Sequence, residues 1–380
     1  MVLDPLLKLM AEKRASDLFF SPGAPIHIKI QGVVMPVNNQ VLDAEATRRI
    51  TYELLSPEQA KSFEENWEMN FAFAREGIGS FRVNVFRQRG HISLVIRYLA
   101  GVIPSIEELK LPPVFKDLVM EKRGLVLVVG ATSSGKSTSL ASMVQYRNAT
   151  RTGHILTVED PIEYVFRHDK SIVSQREIGI DTHSYAQALS NAMREAPDML
   201  MIGEIRDRET LQHALIYAQT GHLCLATLHA NNSYHALNRI INFFPHEARE
   251  SLLMDLSVSL RCVISQRLIK GVDGKLVPAV EVLLNTVHIA ELIKNGETDQ
   301  IKEAMEQSLS PGSQSFEQDL YRLYAGGEIT LEEALVNSDS PTNLSWLINN
   351  AKAAEKGGAA PKAPEPEAPA LTLNLDRLEE

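Results

Sequence analysis

Cysteine is almost missing from this chain: Cys224 and Cys262 are the only two in 380 residues. Neither has a partner at CxxC spacing and both sit in apolar surroundings. That excludes a zinc element of paired CxxC units and a disulfide framework, and leaves buried thiols in a reducing compartment. Long hydrophobic runs are missing too; none approaches the ~20 residues of a membrane-spanning helix. The stretch MVLDPLLKLMAEKRASD lacks a basic start, an apolar core and a small-residue cleavage site, so no export signal is expected. Positive charge is in deficit. Lys and Arg number 38 against 48 Asp and Glu, for a net charge of −10. The last 30 residues carry four Lys/Arg and six Asp/Glu, so the rest is itself acidic. An acidic chain is poorly suited to gripping a phosphate backbone, and no nucleic-acid partner is expected. These absences together predict a cytoplasmic protein. Its composition, 44% hydrophobic and 23% charged, is that of an ordinary globular one.

The length allows two domains and a tail. Residues 1–100 read as a small α+β unit. An apolar helical pattern (Leu3, Leu6, Leu7, Met10) precedes APIHIKIQGVVMPV, a strand pair turned at Gly32. A helix rich in Glu and Lys is expected near 43–67, then three strands at MNFAFAR, GSFRVNVFRQ and HISLVIRYL. Residues 101–113 carry three prolines and read as a linker. Over 114–350 short apolar strands alternate with helices, which predicts an α/β fold with a parallel sheet covered on both faces. GLVLVVG, HILTV, DMLMIG and HLCLATL are the buried strands; 245–345 reads as mostly helical apart from a hairpin at IKGVDGKLVPAVEVLL. Residues 351–380 begin as an Ala/Pro/Gly/Glu-rich tail, read as disordered. The tail ends in LTLNLDRLEE, a frayed terminus or a short docking segment. No internal repeat is present.

Gly130 to Thr138 read GATSSGKST, which satisfies GxxxxGK[ST] between a buried strand and an amphipathic helix. Loop amides and the helix N-terminus attract phosphates. Gly130, Ala131, Thr132, Ser133, Ser134, Gly135, Lys136, Ser137 and Thr138 are therefore the expected nucleotide-binding residues. Lys136 would sit between β- and γ-phosphates, and the Ser137 hydroxyl would ligate Mg²⁺. Three other strands run into polar residues: HILTV into Glu159, Asp160 and Glu163, DMLMIG into Glu204, HLCLATL into His229. Ligands of open parallel sheets lie beyond the strands' carboxyl ends, so these side chains are expected to converge on the loop. Glu204 reads as a Walker B residue organising Mg²⁺, and a carboxylate near the attacking water can take its proton. A lone histidine after a strand is more often structural than functional.

The four segments GATSSGKST, ILTVEDPIEYV, MIGEIRDRET and TGHLCLATLHANNS resemble the Walker A, Asp box, Walker B and His box of the secretion-superfamily hexameric ATPases. The similarity extends over about 1–345 and is nearest the type IV pilus retraction ATPases, the PilT/PilU family. It implies a RecA-like P-loop NTPase core, a PAS-like N-terminal domain and a helical C-terminal part. It also implies roles. Glu163 would polarise the attacking water, Glu159 and Asp160 would complete that box, and His222 and His229 would contact the nucleotide region. Arg82 and Arg97 match arginines supplied by one subunit to another's nucleotide; the alternative is solvated charges on strands. Ser133 and Ala131 stand where the family has Gly and Pro, and Ala196 replaces an Asp. In a left-handed backbone at 133, Ser costs roughly 1–2 kcal/mol, with slower nucleotide handling expected. HIAELI at 288–293 departs from the retraction motif AIRNLI and, with the tail, points to the PilU side of the family. The resemblance implies a Mg-ATP-driven homo-hexameric motor for twitching motility, working with a PilT-like paralogue on the inner-membrane platform protein. Two alternatives stay open: a nucleotide-bound scaffold of the PilT ring that hardly hydrolyses ATP, and an extension or type II secretion ATPase.

Overall fold

The protein is described by a computed structural model covering residues 3–13, 15–30, 32–99, 101–307 and 310–355. The tail 356–380, with its leucine-rich end, lies outside the described residues. Two sheets organise the chain. The first holds β1 (Asp17–Phe20), β2 (Pro25–Ile30), β3 (Val33–Val41), β4 (Glu68–Arg75), β5 (Gly79–Gln88) and β6 (His91–Leu99), in the order β3-β2-β1-β6-β5-β4. Every pairing in it is antiparallel. Alternation along β5 buries Phe81, Val83 and Val85 against Leu7 and Met10 of the helix Asp4–Lys13, Ile50 of Ala44–Leu54 and Phe63 of Pro57–Asn66. The single helix expected near 43–67 is therefore two. Leu55 ends the first, Ser56 caps the second in a reciprocal box with Gln59, and Pro57 opens the new helix.

The second sheet comprises β7 (Gly124–Val129), β8 (Gly153–Glu159), β9 (Ser171–Glu177), β10 (Met199–Ile202), β11 (Leu223–Leu228), β12 (Leu260–Lys270) and β13 (Leu276–Leu284), in the order β13-β12-β7-β11-β10-β8-β9. All neighbours run parallel except β12 and β13. Leu125, Leu127 and Val129 face one apolar core and Val126 and Val128 the other, so both faces are covered. β12 corrects the helical reading of 260–268: those residues lie beside β7, and burial within the sheet overrides local pattern. β9 also adds a strand that short-range periodicity did not mark. The 101–113 stretch is packed down, with Ile106 and Leu111 buried in the same core as Phe115 and Val126. Past β13, helices Phe316–Ala325, Leu331–Val336 and Pro341–Glu355 close a smaller core over Ile269, Val277 and Ala279. The last of them runs beyond 351 into the stretch read as tail.

Ala196, just before β10, has φ 49° and ψ 50°, a left-handed conformation in which a Cβ is strained. An Asp tolerates it better than Ala does. Ala196→Gly is expected to raise the unfolding free energy by about 1 kcal/mol, read as a shifted midpoint at unchanged slope in urea denaturation.

Candidate nucleotide site

Parallel pairing places the carboxyl ends of β7, β11, β10 and β8 at one edge, and the expected side chains emerge there. The loop 130–135 leaves β7 and enters the helix Lys136–Thr150 through Gly135, at φ 90°. Close contacts and backbone shape call for both loop glycines. A Cβ on Gly130 would stand 2.4 Å from Ser134 Oγ and 2.5 Å from the Gln266 carbonyl oxygen of β12, and Gly135 has a left-handed backbone with its Cβ position 2.7 Å from Gln266 Nε2. Gln266 also accepts from Ser139 Oγ at 2.7 Å, tying the helix to the sheet. Ser133 has φ 64°, so the left-handed condition under which Ser is costly there is met.

The loop is rich in hydrogen-bond donors. Lys136 Nζ donates to the carbonyls of Gly130 (2.9 Å) and Ala131 (2.7 Å), two of its three N–H groups. Burial lowers its pKa, while the nearby charges of Glu204 and Glu163 raise it. Ser134 Oγ is buried with no hydrogen-bond partner among the described residues. An orphaned hydroxyl, a buried ammonium and a helix N-terminus are the environment a polyphosphate fits. Ser137 Oγ donates to Glu163 Oε1 at 3.0 Å, and Thr138 Oγ1 shares a hydrogen bond of 2.9 Å with the Tyr164 hydroxyl.

The acids lie opposite. Glu204 Oε2 accepts from Arg206 Nε at 2.7 Å, and its Oε1 is 3.3 Å from His229 Nε2. Arg206 also donates to Asp160 at 3.1 Å, so one guanidinium bridges both carboxylates. The sequence reading had given Arg206 no role, although it stands two residues past Glu204. Glu159 accepts from Thr157 Oγ1 (2.7 Å) and Gln175 Nε2 (3.2 Å), and burial pushes its pKa up to about 7. Thr132, Ser133, Lys136, Ser137, Glu159, Glu163, Glu204 and His229 line one cleft. Among the described residues no three His, Cys, Asp or Glu cluster as a metal cage. Mg²⁺ held through one or two side chains and substrate phosphates needs none, and the Ser137 hydroxyl and Glu204 carboxylate are oxygen donors of the kind such a site would use.

Three expected residues stand elsewhere. His222 precedes β11 while His229 follows it, so the strand separates them by roughly 20 Å. His222 lies near Thr220 Oγ1 (3.2 Å) and the Tyr217 ring, and within this chain it does not join the cleft. Arg82 is not a solvated strand charge: its guanidinium meets Glu177 Oε2 of β9 at 2.6 Å, with both side chains largely buried. Glu177 Oε2 also accepts from Ile162 N at 3.0 Å, in the segment that carries Glu163. Arg97, paired with Asp17 at 2.8 Å, leaves its side chain mostly exposed.

The Type II/IV secretion system protein family matches over residues 1–316. This chain belongs to that family, as an ATPase of the PilT/PilU kind. It is 50% identical to the type IV pilus ATPase PilU of Pseudomonas aeruginosa over 349 residues, 92% of this chain and 91% of that protein. It is 40% identical to the type IV pilus retraction ATPase PilT of the same organism over 344 residues, 90% of this chain and 100% of that one. Among solved structures, the pilus retraction motor PilT with bound ADP superposes with a TM-score of 0.83 at 40% identity, covering 90% of this chain and 98% of that chain. Among the described residues no helix is long and apolar enough to cross a membrane.

Glu159 makes stability pH-dependent. Its folded pKa of about 7 lies above the usual 4.5, so across that window the folded state keeps a proton the unfolded chain has released. Stability therefore falls as pH rises from 4.5 through 7, by up to about 3 kcal/mol. Glu159→Gln lacks this slope. Urea unfolding of both proteins from pH 5 to 8 should show the wild type losing ground to the variant as pH rises.

Proposed function

We propose that this chain is a Mg-ATP-hydrolysing motor subunit of type IV pilus retraction, PilU-like, that forms a homo-hexameric ring. It acts beside a PilT-like paralogue at the cytoplasmic face of the inner membrane and transmits force to the pilus platform protein. The observation that carries this reading is the convergence of Lys136, Ser137, Glu163, Glu204 and His229 at one edge of the parallel sheet. The loop amides, Ser134 Oγ and Lys136 hold the phosphates and neutralise their charge. Ser137 and Glu204 hold Mg²⁺, which withdraws charge from the phosphoryl oxygens when bound. Glu163, already within hydrogen-bond reach of Ser137, orients the attacking water and accepts its proton. His229 keeps Glu204 oriented. Arg82 and Arg97 serve a neighbouring subunit's nucleotide, Arg82 after leaving Glu177.

One observation favours the scaffold alternative: Arg206 occupies Glu204 and Asp160 together, and an acid so paired is a poor ligand for Mg²⁺. An extension-type ATPase is disfavoured, since Cys224 and Cys262 are both fully buried on separate strands.

Steady-state ATP turnover at a defined oligomeric state decides. Wild type is expected to turn over, and Lys136→Ala and Glu204→Ala to fall at least about a hundredfold. Tight ATP binding without turnover above those variants would establish the scaffold instead. Glu163→Gln is expected to lower kcat about 10²–10⁴-fold with little change in KM; retained turnover would remove Glu163 as the base.

A further inference from the structure

Tyr185 carries a polar group that the site as described does not use. It opens the helix Tyr185–Ala192 behind the cap Ser184, whose Oγ accepts from Gln187 N at 3.2 Å. Its ring packs on the core beneath β8 and β10. The hydroxyl is buried and has no hydrogen-bond partner among the described residues. Its place is well defined. A Cβ on Gly203 would come 2.9 Å from this oxygen and 3.1 Å from the Glu159 Cα. The phenol thus rests against the backbone just before Glu204 and beside the turn that carries Glu159 and Asp160. Burial raises its pKa first, and the Asp160 carboxylate is the next largest cause, with Glu204 and Glu159 adding to it.

A buried O–H without an acceptor is costly, and a phenylalanine ring would fill the same space without that cost. Arg206 holds Asp160 Oδ2 at 3.1 Å and Glu204 Oε2 at 2.7 Å, so both carboxylates are turned toward one guanidinium and neither meets the phenol. A Glu204 carboxylate engaged by Mg²⁺ would compete with Arg206 for the same oxygens and loosen the bridge to Asp160. We propose that Tyr185 is a positioning residue of the hydrolysis site, its hydroxyl donating to Asp160 when Arg206 is drawn away. The phenol then keeps the Asp160–Glu163 segment aligned under the γ-phosphate without bringing a charge into the cleft. This inference rests on the ATPase reading given above.

The test uses the full chain, with turnover, KM and thermal unfolding measured for wild type, Tyr185→Phe, Asp160→Ala and the double variant. Tyr185→Phe is expected to lower kcat five- to tenfold, leave KM within twofold, and melt at or above the wild-type temperature. On the Asp160→Ala background the same change is expected to add nothing. Wild-type kcat in Tyr185→Phe would overturn the proposal. So would a fall in kcat accompanied by a lower melting temperature, which would give the hydroxyl a partner in the resting fold. Additive losses in the double variant would also overturn it. Wild-type turnover no higher than that of Lys136→Ala is a separate result: it removes the ATPase reading and this inference with it.

Discussion

The buried ammonium of Lys136 sets the terms for everything around it. A cation taken out of water is tolerated only where acceptors and opposite charges surround it. Here two carbonyls of its own loop supply the acceptors, and Glu204 and Glu163 supply the charge. The carbonyls approach only because the loop is folded tightly on β12, which the glycines at 130 and 135 permit. The carboxylates approach only because β8 and β10 run parallel to β7 and end at the same edge. Remove either constraint and the lysine either loses its charge or leaves the core. A polyphosphate entering the loop would replace weak carbonyl acceptors by strong anionic ones, so the resting arrangement already favours such a ligand.

Among the described residues, a buried pair links the first sheet to this arrangement. Arg82 of β5 reaches Glu177, Glu177 accepts from Ile162 N, and the same segment presents Glu163 to Ser137. The pair differs from the exposed Lys275–Asp273 pair, where solvent screens the charges. Separating Arg82 from Glu177 leaves both charges largely buried and alone unless a new partner arrives at once. Movement of the first sheet and rearrangement of the Glu163 segment are therefore linked by the same carboxylate. In the proposed motor, exchange of Arg82 from Glu177 to a neighbouring subunit's phosphate is the step that such linkage would couple.

What could be read from sequence was what is local. The loop motif, the strand before it and the helix after it are contiguous, so Gly130–Thr138 and the strand-end acids Glu163 and Glu204 could be named in advance. Ser133's left-handed backbone was expected only conditionally, through the Gly that the resembled family has at that position. What was not legible depended mostly on placement in space. His222 and His229 lie close in sequence, yet a strand carries them to opposite edges of the sheet. Leu260–Lys270 has no local mark of a strand; only pairing with β7 makes it one. Arg82 was visible as an arginine on a strand, but Glu177 as its partner depends on how the two sheets meet. Arg206 stood in a quoted motif, and its bridging role needed Asp160 and Glu204 in space.

The strained Ser133 can now be weighed. The loop carries three unfavourable features: the Ser133 backbone, the orphaned Ser134 hydroxyl, and a buried ammonium whose hydrogen-bond acceptors are carbonyls. A ligand changes affinity only through features that differ between its free and bound states. A phosphate can satisfy the hydroxyl and the ammonium, and both therefore contribute to binding. The backbone at 133 is unaffected if the loop keeps its shape, and its cost of roughly 1–2 kcal/mol then falls on the stability of the fold alone. Only a loop that changes shape during turnover would release that strain, so substitution at 133 separates a rigid cradle from a moving one. Ser133→Gly in a rigid loop would raise stability and leave nucleotide affinity as it is; in a moving loop it would shift affinity as well.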